Sequence, residues 1–409
     1  MLDVLLVGSN YRTCPLGILE DLSVSLTMNR IVQVLRTVSC DFGLGLLSTC
    51  NRVETYLVTD ELDILRTKVE ELFIEVGASE TQIYCMNGRE AIKHLIKVAC
   101  GLDSLAIGEP QILQQVRDVK RYGNGKYIQI VDRLFNYSYN AAIRVRKAAG
   151  IDFSTNVGML VSHLLKLKIK EDDSILVVGT GSIGKVVIDE LIRAGFDEIH
   201  AVTRNPSPIS EHIRTQVKTL GGFDLLPKLL NEVSAVIVAT SSLDYVVNRE
   251  SLDGLPNNRK LLMIELSVPR NIDPRVSESL SIELYNIIDL EAFAPKLNTS
   301  NEALLADRVI SEEAERFISW LAGIGLNDVI GLLREKAERL RKKELSKALK
   351  HLCGNPDRDA LVLDMLSKSI INKLLHDPTV RLKMLAANKR EPLYVNMVKE
   401  LFGLNEPSN

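Results

Sequence analysis

The sequence predicts a multidomain α/β protein, and three observations predict it. At 409 residues the chain is longer than one hydrophobic core usually takes, so two or three domains are expected. Strand-like and helix-like apolar periods alternate as far as about residue 292, and within that stretch a glycine-rich turn follows a strand and opens a helix. Beyond it turn signals thin out and the apolar spacing becomes helical. The expected regions are 1–150, an α/β or α+β domain; 151–292, a Rossmann-type domain; and 293–409, all helix.

In the first region strands are expected at Val4–Gly8, Leu44–Leu47 and Val53–Thr59, and helices at Arg89–Ala99 and Pro110–Arg121, the latter with proline in its first turn. A basic helix carrying Arg144, Arg146 and Lys147 breaks at Gly150, which sets a boundary near residues 151–155. A helix over Val157–Lys170 then leads into the apolar strand Ser174–Val178.

The turn after that strand reads Gly179-Thr180-Gly181-Ser182-Ile183-Gly184, a G-x-G-x-x-G between strand and helix. Glycines there let the backbone approach a pyrophosphate at a helix N-terminus. The motif alone is weak, but a helix at Lys185–Ala194 and strands at Glu198–Thr203, Ala235–Ala239 and Leu261–Glu265 supply the βαβ rhythm it needs. The strand that should end on an acid for NAD ends instead on Thr203 and Arg204, twenty residues past Gly184. A guanidinium there suits a 2′-phosphate, so NADPH is the expected cofactor; the plainer alternative is a solvated surface arginine.

Composition narrows the class further. Apolar residues make up 46% and charged residues 25%, with a net charge of −3, so any polyanion must meet a local basic surface. No unbroken apolar run reaches the roughly 18 residues of a membrane span, and the N-terminus reads as a strand, not a leader. The six cysteines form no C-x-x-C pair and no metal-ligand cluster, which fits a reducing, cytoplasmic setting.

One cysteine stands apart. Ser48-Thr49-Cys50-Asn51-Arg52-Val53-Glu54 follows an apolar strand, and if the segment stays extended, Cys50, Arg52 and Glu54 share a side. A cationic neighbour favours the thiolate that attacks acyl groups. Without further context a cysteine after a strand reads as a small buried hydrophobe, and His94, on the apolar helix Ile92–Val98, as a packed core histidine.

At these residues the sequence resembles the glutamyl-tRNA reductase family, whose Ser-Thr-Cys-Asn-Arg-x-Glu pattern is intact over Ser48–Glu54. Gly8-Ser9-Asn10-Tyr11-Arg12-Thr13-Cys14-Pro15 looks like the family's Gly-x-Asn-His-Lys-Thr-Ala-Pro, and His94 with residues 101–113, from Gly101-Leu102-Asp103-Ser104 through Glu109-Pro110-Gln111, matches its second long motif. Residues 268–274 and 285–290 match as well, while the C-terminal helices match in pattern, with Ile310–Trp320 and Leu332-Leu333-Arg334 as anchors. Two departures stand out: Tyr11 replaces the usual histidine, and no proline follows Trp320.

The resemblance implies NADPH-dependent reduction of glutamyl-tRNA to glutamate-1-semialdehyde through a thioester on Cys50, the first step of tetrapyrrole biosynthesis. It also implies that His94 assists proton transfer and that Thr49, Arg52, Ser104, Glu109 and Gln111 hold the glutamyl group, with Glu54 or Glu109 on its ammonium. Arg52 suits the side-chain carboxylate by its bidentate fork. Further implications are a spinal helix, a helical dimerisation domain and hence a homodimer, and glutamate-1-semialdehyde aminomutase as a partner for the reactive product.

For tRNA contact, residues 112–150 hold eight Lys/Arg against two acids, whereas the basic stretch 334–350 is interleaved with glutamates and reads equally as a salt-bridged helix face. Two rivals remain in view. A small-molecule NADP dehydrogenase of the shikimate type would need only the middle region, and a catalytically silent tRNA-binding protein would need neither thiol nor glycine turn.

Overall fold

A computed structural model describes residues 2–104, 110–150, 156–204, 211–252, 259–278, 281–293, 300–349, 356–386 and 397–404. The boundary expected near residues 151–155 lies outside this set, as do Glu109 and Cys353. The chain divides into two compact units, Val4–Glu313 and one made chiefly of Ala314–Asn409.

The first region runs β1 (Asp3–Asn10), α1 (Leu16–Ser25), α2 (Met28–Leu35), β2 (Phe42–Ser48), β3 (Arg52–Thr59), α3 (Leu62–Val76), β4 (Tyr84–Asn87), α4 (Gly88–Ala99), α5 (Pro110–Arg117), β5 (Lys120–Gly123) and α6 (Gly125–Ala149). Its sheet has the order β4-β1-β3-β2-β5. The central strand β3 is buried along its whole length, so both of its faces are covered. Val53 and Leu57 join Leu19, Leu22, Ile31, Val69 and Phe73 of α1, α2 and α3 in one core. The alternate residues Arg52, Glu54 and Tyr56 turn the other way, where Glu54 meets His94 of α4 and Tyr56 packs edge-on against Phe135 of α6. A period of two therefore carries both charged residues to a single face.

The helix expected over Pro110–Arg121 ends at Arg117. Residues Lys120–Gly123 form an edge strand instead, because they pair with Gly43–Leu46 of β2. A partner more than seventy residues away in sequence leaves no mark on the local pattern.

The middle region runs α7 (Val157–Lys168), β6 (Ile175–Val178), α8 (Ser182–Arg193), β7 (Ile199–Val202), α9 (Glu211–Gln216), β8 (Thr219–Gly221), α10 (Leu226–Leu230), β9 (Ala235–Val238), β10 (Leu261–Glu265) and β11 (Ile282–Asn286). Its sheet is parallel in the order β11-β10-β9-β6-β7-β8, the doubly wound arrangement whose strand order reverses at β6 and β9. Beyond β10, the Glu265 carboxylate accepts the backbone N–H groups of Ser267, Asn271 and Ile272 and so fixes the connection that follows. Arg270 on that connection grips Glu20 of α1 through Nε and Nη2 at 2.8 Å.

Two long helices complete the chain, α11 (Ser300–Leu349) and α12 (Pro356–Ala386). Arg341 of α11 pairs with Asp364 of α12 at 2.6 Å. Although no unbroken apolar run has membrane length, α11 contains an 18-residue window of mean hydropathy 1.3, apolar and long enough to cross a bilayer. Only 36% of that window is buried within the chain.

Candidate active site

Cys50 does not lie on an extended strand. Ser48 pairs with Val53 as the last rung between β2 and β3, and Thr49 N–H donates to the Arg52 carbonyl at 2.9 Å, so residues 49–51 form the tip of a tight hairpin. Thr49 Oγ1 accepts the Asn51 N–H at 3.2 Å, and the Asn51 carbonyl accepts the Tyr11 N–H at 3.0 Å, which ties the tip to the end of β1. Thr49 thus holds the turn. Cys50 is a half-buried thiol, outside any disulfide, at that tip, and the shared face begins only at Arg52.

Arg52 is 1% exposed and Glu54 is fully buried. Arg52 Nη1 donates to Glu54 Oε1 at 2.9 Å and to Asp103 Oδ2 at 3.0 Å, while Nη2 donates to the Asp103 carbonyl. Glu54 also accepts from Tyr56 Oη at 2.6 Å, Tyr84 Oη at 2.6 Å and His94 Nε2 at 2.8 Å. Burial alone would push the Glu54 carboxyl up, but His94 and Arg52 outweigh it and hold it well below the usual carboxylate range. Burial likewise works against the Arg52 charge, and Glu54, Tyr84 and Asp103 more than restore it. The result is an ionised pair in a low-dielectric setting with four donors on one carboxylate.

These contacts revise the sequence assignments. Glu54 is fully buried, with Oε1 accepting from Arg52, Tyr84 and His94 and Oε2 from Tyr56, so it presents no exposed side to an ammonium group. His94 is mostly buried but not among apolar groups: its Nε2 meets Glu54 and its ring lies 5.7 Å from that of Tyr84, centroid to centroid. Ser104 is buried directly after Asp103, and Gln111 lies half-buried in the first turn of α5. Glu109 lies outside the described residues. Asp103 and Arg12 were not singled out by sequence, although both stand inside matched motifs. Arg12 Nη1 donates to Asp103 Oδ1 at 2.6 Å, and its Nη2 lies 3.3 Å from Glu291 Oε1, which also accepts from Tyr11 Oη at 3.1 Å.

The glycine turn closes as its spacing predicts. Gly179 has φ +99°, in the left-handed region, and a side chain there would meet the Ala239 carbonyl at 2.3 Å. A methyl on Gly184 would fall 1.9 Å from the Gly179 carbonyl, so α8 packs on β6 only because that atom is missing. Gly181, the N-cap of α8, faces open space instead. Thr180, Ser182 and Ile183 complete the loop, whose open N-terminal turn fits a dinucleotide's pyrophosphate. Thr203 and the exposed Arg204 follow directly after β7.

Of the basic residues expected to contact tRNA, Arg117, Lys120, Arg133 and Lys147 are exposed. Arg146 is not a surface residue: it is 1% exposed and donates to the carbonyls of Ala99 and Cys100, bracing the end of α4. Arg144 is committed to Glu313.

Comparison with known proteins spans nearly the full chain. Residues 7–149 match the family described as glutamyl-tRNAGlu reductase, N-terminal domain; residues 305–404 match glutamyl-tRNAGlu reductase, dimerisation domain; residues 163–293 match shikimate / quinate 5-dehydrogenase. A glutamyl-tRNA reductase of Synechococcus sp. (strain JA-3-3Ab) is 30% identical, covering 98% of this chain and 97% of its own. That of Thermodesulfovibrio yellowstonii is 31% identical, covering 99% of each. Among solved structures, glutamyl-tRNA reductase from Methanopyrus kandleri superposes with a TM-score of 0.52 at 22% identity, covering 99% of this chain and 100% of that one.

Proposed function

Since the chain belongs to the glutamyl-tRNA reductases, oxidoreductases at the entry to tetrapyrrole synthesis, we propose that it reduces the glutamyl group of glutamyl-tRNA to glutamate-1-semialdehyde, with Cys50 as nucleophile and NADPH as reductant. The observation that carries this reading is the buried Arg52–Glu54 pair on the strand that begins two residues after Cys50, joined there by His94 of α4.

The Cys50 thiolate attacks the ester carbonyl of the glutamyl group; the carbon–oxygen bond to the tRNA breaks and the departing ribose hydroxyl takes up a proton. NADPH, when bound, supplies the hydride that reduces the resulting acyl group. Cleavage of the carbon–sulfur bond then frees the aldehyde and regenerates the thiol. His94 Nε2 lies 2.8 Å from Glu54 Oε1, and an imidazole oriented by a buried carboxylate is suited to proton transfer. Arg52, with Thr49, Ser104, Gln111 and Glu109, would position the glutamyl group.

The cofactor reading rests on the open turn at Gly181 and on Arg204 in place of an acid after β7, which favours a 2′-phosphate. The exposed Arg117, Lys120, Arg133 and Lys147 suit the tRNA phosphates. The match of residues 305–404 to a dimerisation domain supports a homodimer and gives the uncovered apolar surface of the long helices an occupant. A shikimate-type dehydrogenase would account for residues 163–293 alone and has no use for an acyl-accepting thiol.

The test is to incubate the protein with radiolabelled glutamyl-tRNA without NADPH. Acid-stable label should accumulate on the wild type and be absent from Cys50→Ser, which should also lose reduction altogether. Full activity in Cys50→Ser would sink the covalent mechanism.

A further inference from the structure

The guanidinium best suited to the substrate's side-chain carboxylate already carries two carboxylates. Glu54 and Asp103 both accept from Arg52 Nη1. Counting Arg12, which holds the second Asp103 oxygen, two guanidiniums meet two carboxylates here; a third anion would leave a net negative charge with little solvent to screen it, a costly arrangement in a low-dielectric site. One resident acid must therefore give way, and the two are not equally held. Glu54 is fully buried under Arg52, Tyr56, Tyr84 and His94. The Asp103 side chain is 13% exposed, and its second oxygen already rests on Arg12, whose side chain is 45% exposed.

We propose that Asp103 is a stand-in for the substrate's side-chain carboxylate, a specificity-determining residue that compensates Arg52 until that carboxylate displaces it onto Arg12. The inference rests on the reading above that Arg52 receives this group. Only the side chain need move. Gly101 N–H donates to Val98 O at 2.8 Å and Leu102 N–H to Lys97 O at 3.2 Å, closing the end of α4, and the Asp103 carbonyl is itself fixed by Arg52. Asp103 Oδ1 can stay on Arg12 Nη1, where it sits at 2.6 Å, while Oδ2 leaves Arg52. The exchange is anion for anion, so the charge around Arg52 is conserved. An entering side chain without a carboxylate brings nothing to replace Asp103 and is rejected by the contact it cannot remake.

The sign of the effect separates this role from simple support of Arg52. Competition by glutarate, which carries the terminal carboxylate without tRNA or ammonium, is measured against glutamyl-tRNA reduction. In Asp103→Asn both the KM for glutamyl-tRNA and the Ki for glutarate should fall, the Ki by about tenfold, with the change in KM exceeding that in kcat. Arg12→Gln should do the opposite, because Asp103 then has Arg52 as its only cation, and the double variant should follow Asp103→Asn. A rise or no change in Ki in Asp103→Asn overturns the proposal, as does a double variant that follows Arg12→Gln, the result expected if Arg12 served a tRNA phosphate. If Asp103→Asn does not fold, Arg12→Gln alone decides, with an unchanged Ki counting against. Wild-type protein that reduces no glutamyl-tRNA would overturn the function itself, a result distinct from all of these.

Discussion

Arg52 is a charged side chain removed from water, a state that costs several kcal/mol unless its partners are nearly ideal. Glu54 supplies that compensation, so Glu54→Gln, which keeps the shape and removes the charge, is expected to cost about 3–5 kcal/mol in urea unfolding. The pH dependence has a definite sign. Burial raises the Glu54 carboxyl, His94 and Arg52 more than reverse this, and its folded value lies below the unfolded one. Its contribution is therefore fully present above the ordinary carboxylate range and is lost as pH falls through the folded value. Wild-type stability should decline in acid below about pH 4.5 more steeply than that of Glu54→Gln, and parallel acid profiles would refute the assignment. Sequence made Arg52 and Glu54 legible through their motif and period, but not Asp103 or Tyr84. Their meeting depends on β4 pairing with β1 and on α4 folding back against the sheet, and no local pattern encodes that distance.

Among the elements, the turn between β6 and α8 was the most readable, because each glycine in it answers a separate steric demand that spacing alone expresses. Two of those demands can be separated by experiment. Gly184→Ala drives a methyl into the Gly179 carbonyl and should destabilise the protein by roughly 1–3 kcal/mol or more in thermal or chemical unfolding. Gly181→Ala meets nothing and has an ordinary φ of −69°, so stability should stay within about 0.5 kcal/mol while NADPH affinity, followed by fluorescence titration, falls as the methyl intrudes on the pyrophosphate. Equal stability of the two variants would show that helix and strand are not packed as described. By contrast β5 was misread as the end of a helix, since an edge strand four residues long owes its existence to the partner it finds.

At the scale of the whole molecule, α12 leaves Val362, Leu366, Ile370 and Leu374 exposed at intervals of four, one continuous apolar stripe on a helix. A stripe of this kind in a dimerisation domain is the surface a second copy would cover. Replacing Leu366 and Ile370 together with glutamate should shift the protein from dimer to monomer in light scattering coupled to size exclusion. An unchanged mass would mean that dimerisation uses another face. The apolar window of α11 poses the same question of what covers it, since mean hydropathy records that a stretch is apolar, not whether lipid or protein lies against it.

What the sequence determined by itself is whatever is written in short-range spacing. The three-part organisation, the parallel βαβ rhythm, the glycine turn and the motif around Cys50 all follow from periods of two and 3.6 and from residues that only particular backbone shapes require. Tertiary structure alone decided which polar groups share a partner. It put Cys50 at a hairpin tip rather than on a strand, buried Glu54 under four donors, buried Arg146 beneath the end of α4, and set Asp103 between two arginines fifty and more residues distant in sequence. The physical reason is one of range. Steric and hydrophobic preferences act between neighbours along the chain, whereas the energy of a buried charge depends on everything that packs around it, and that is assembled only when distant segments meet.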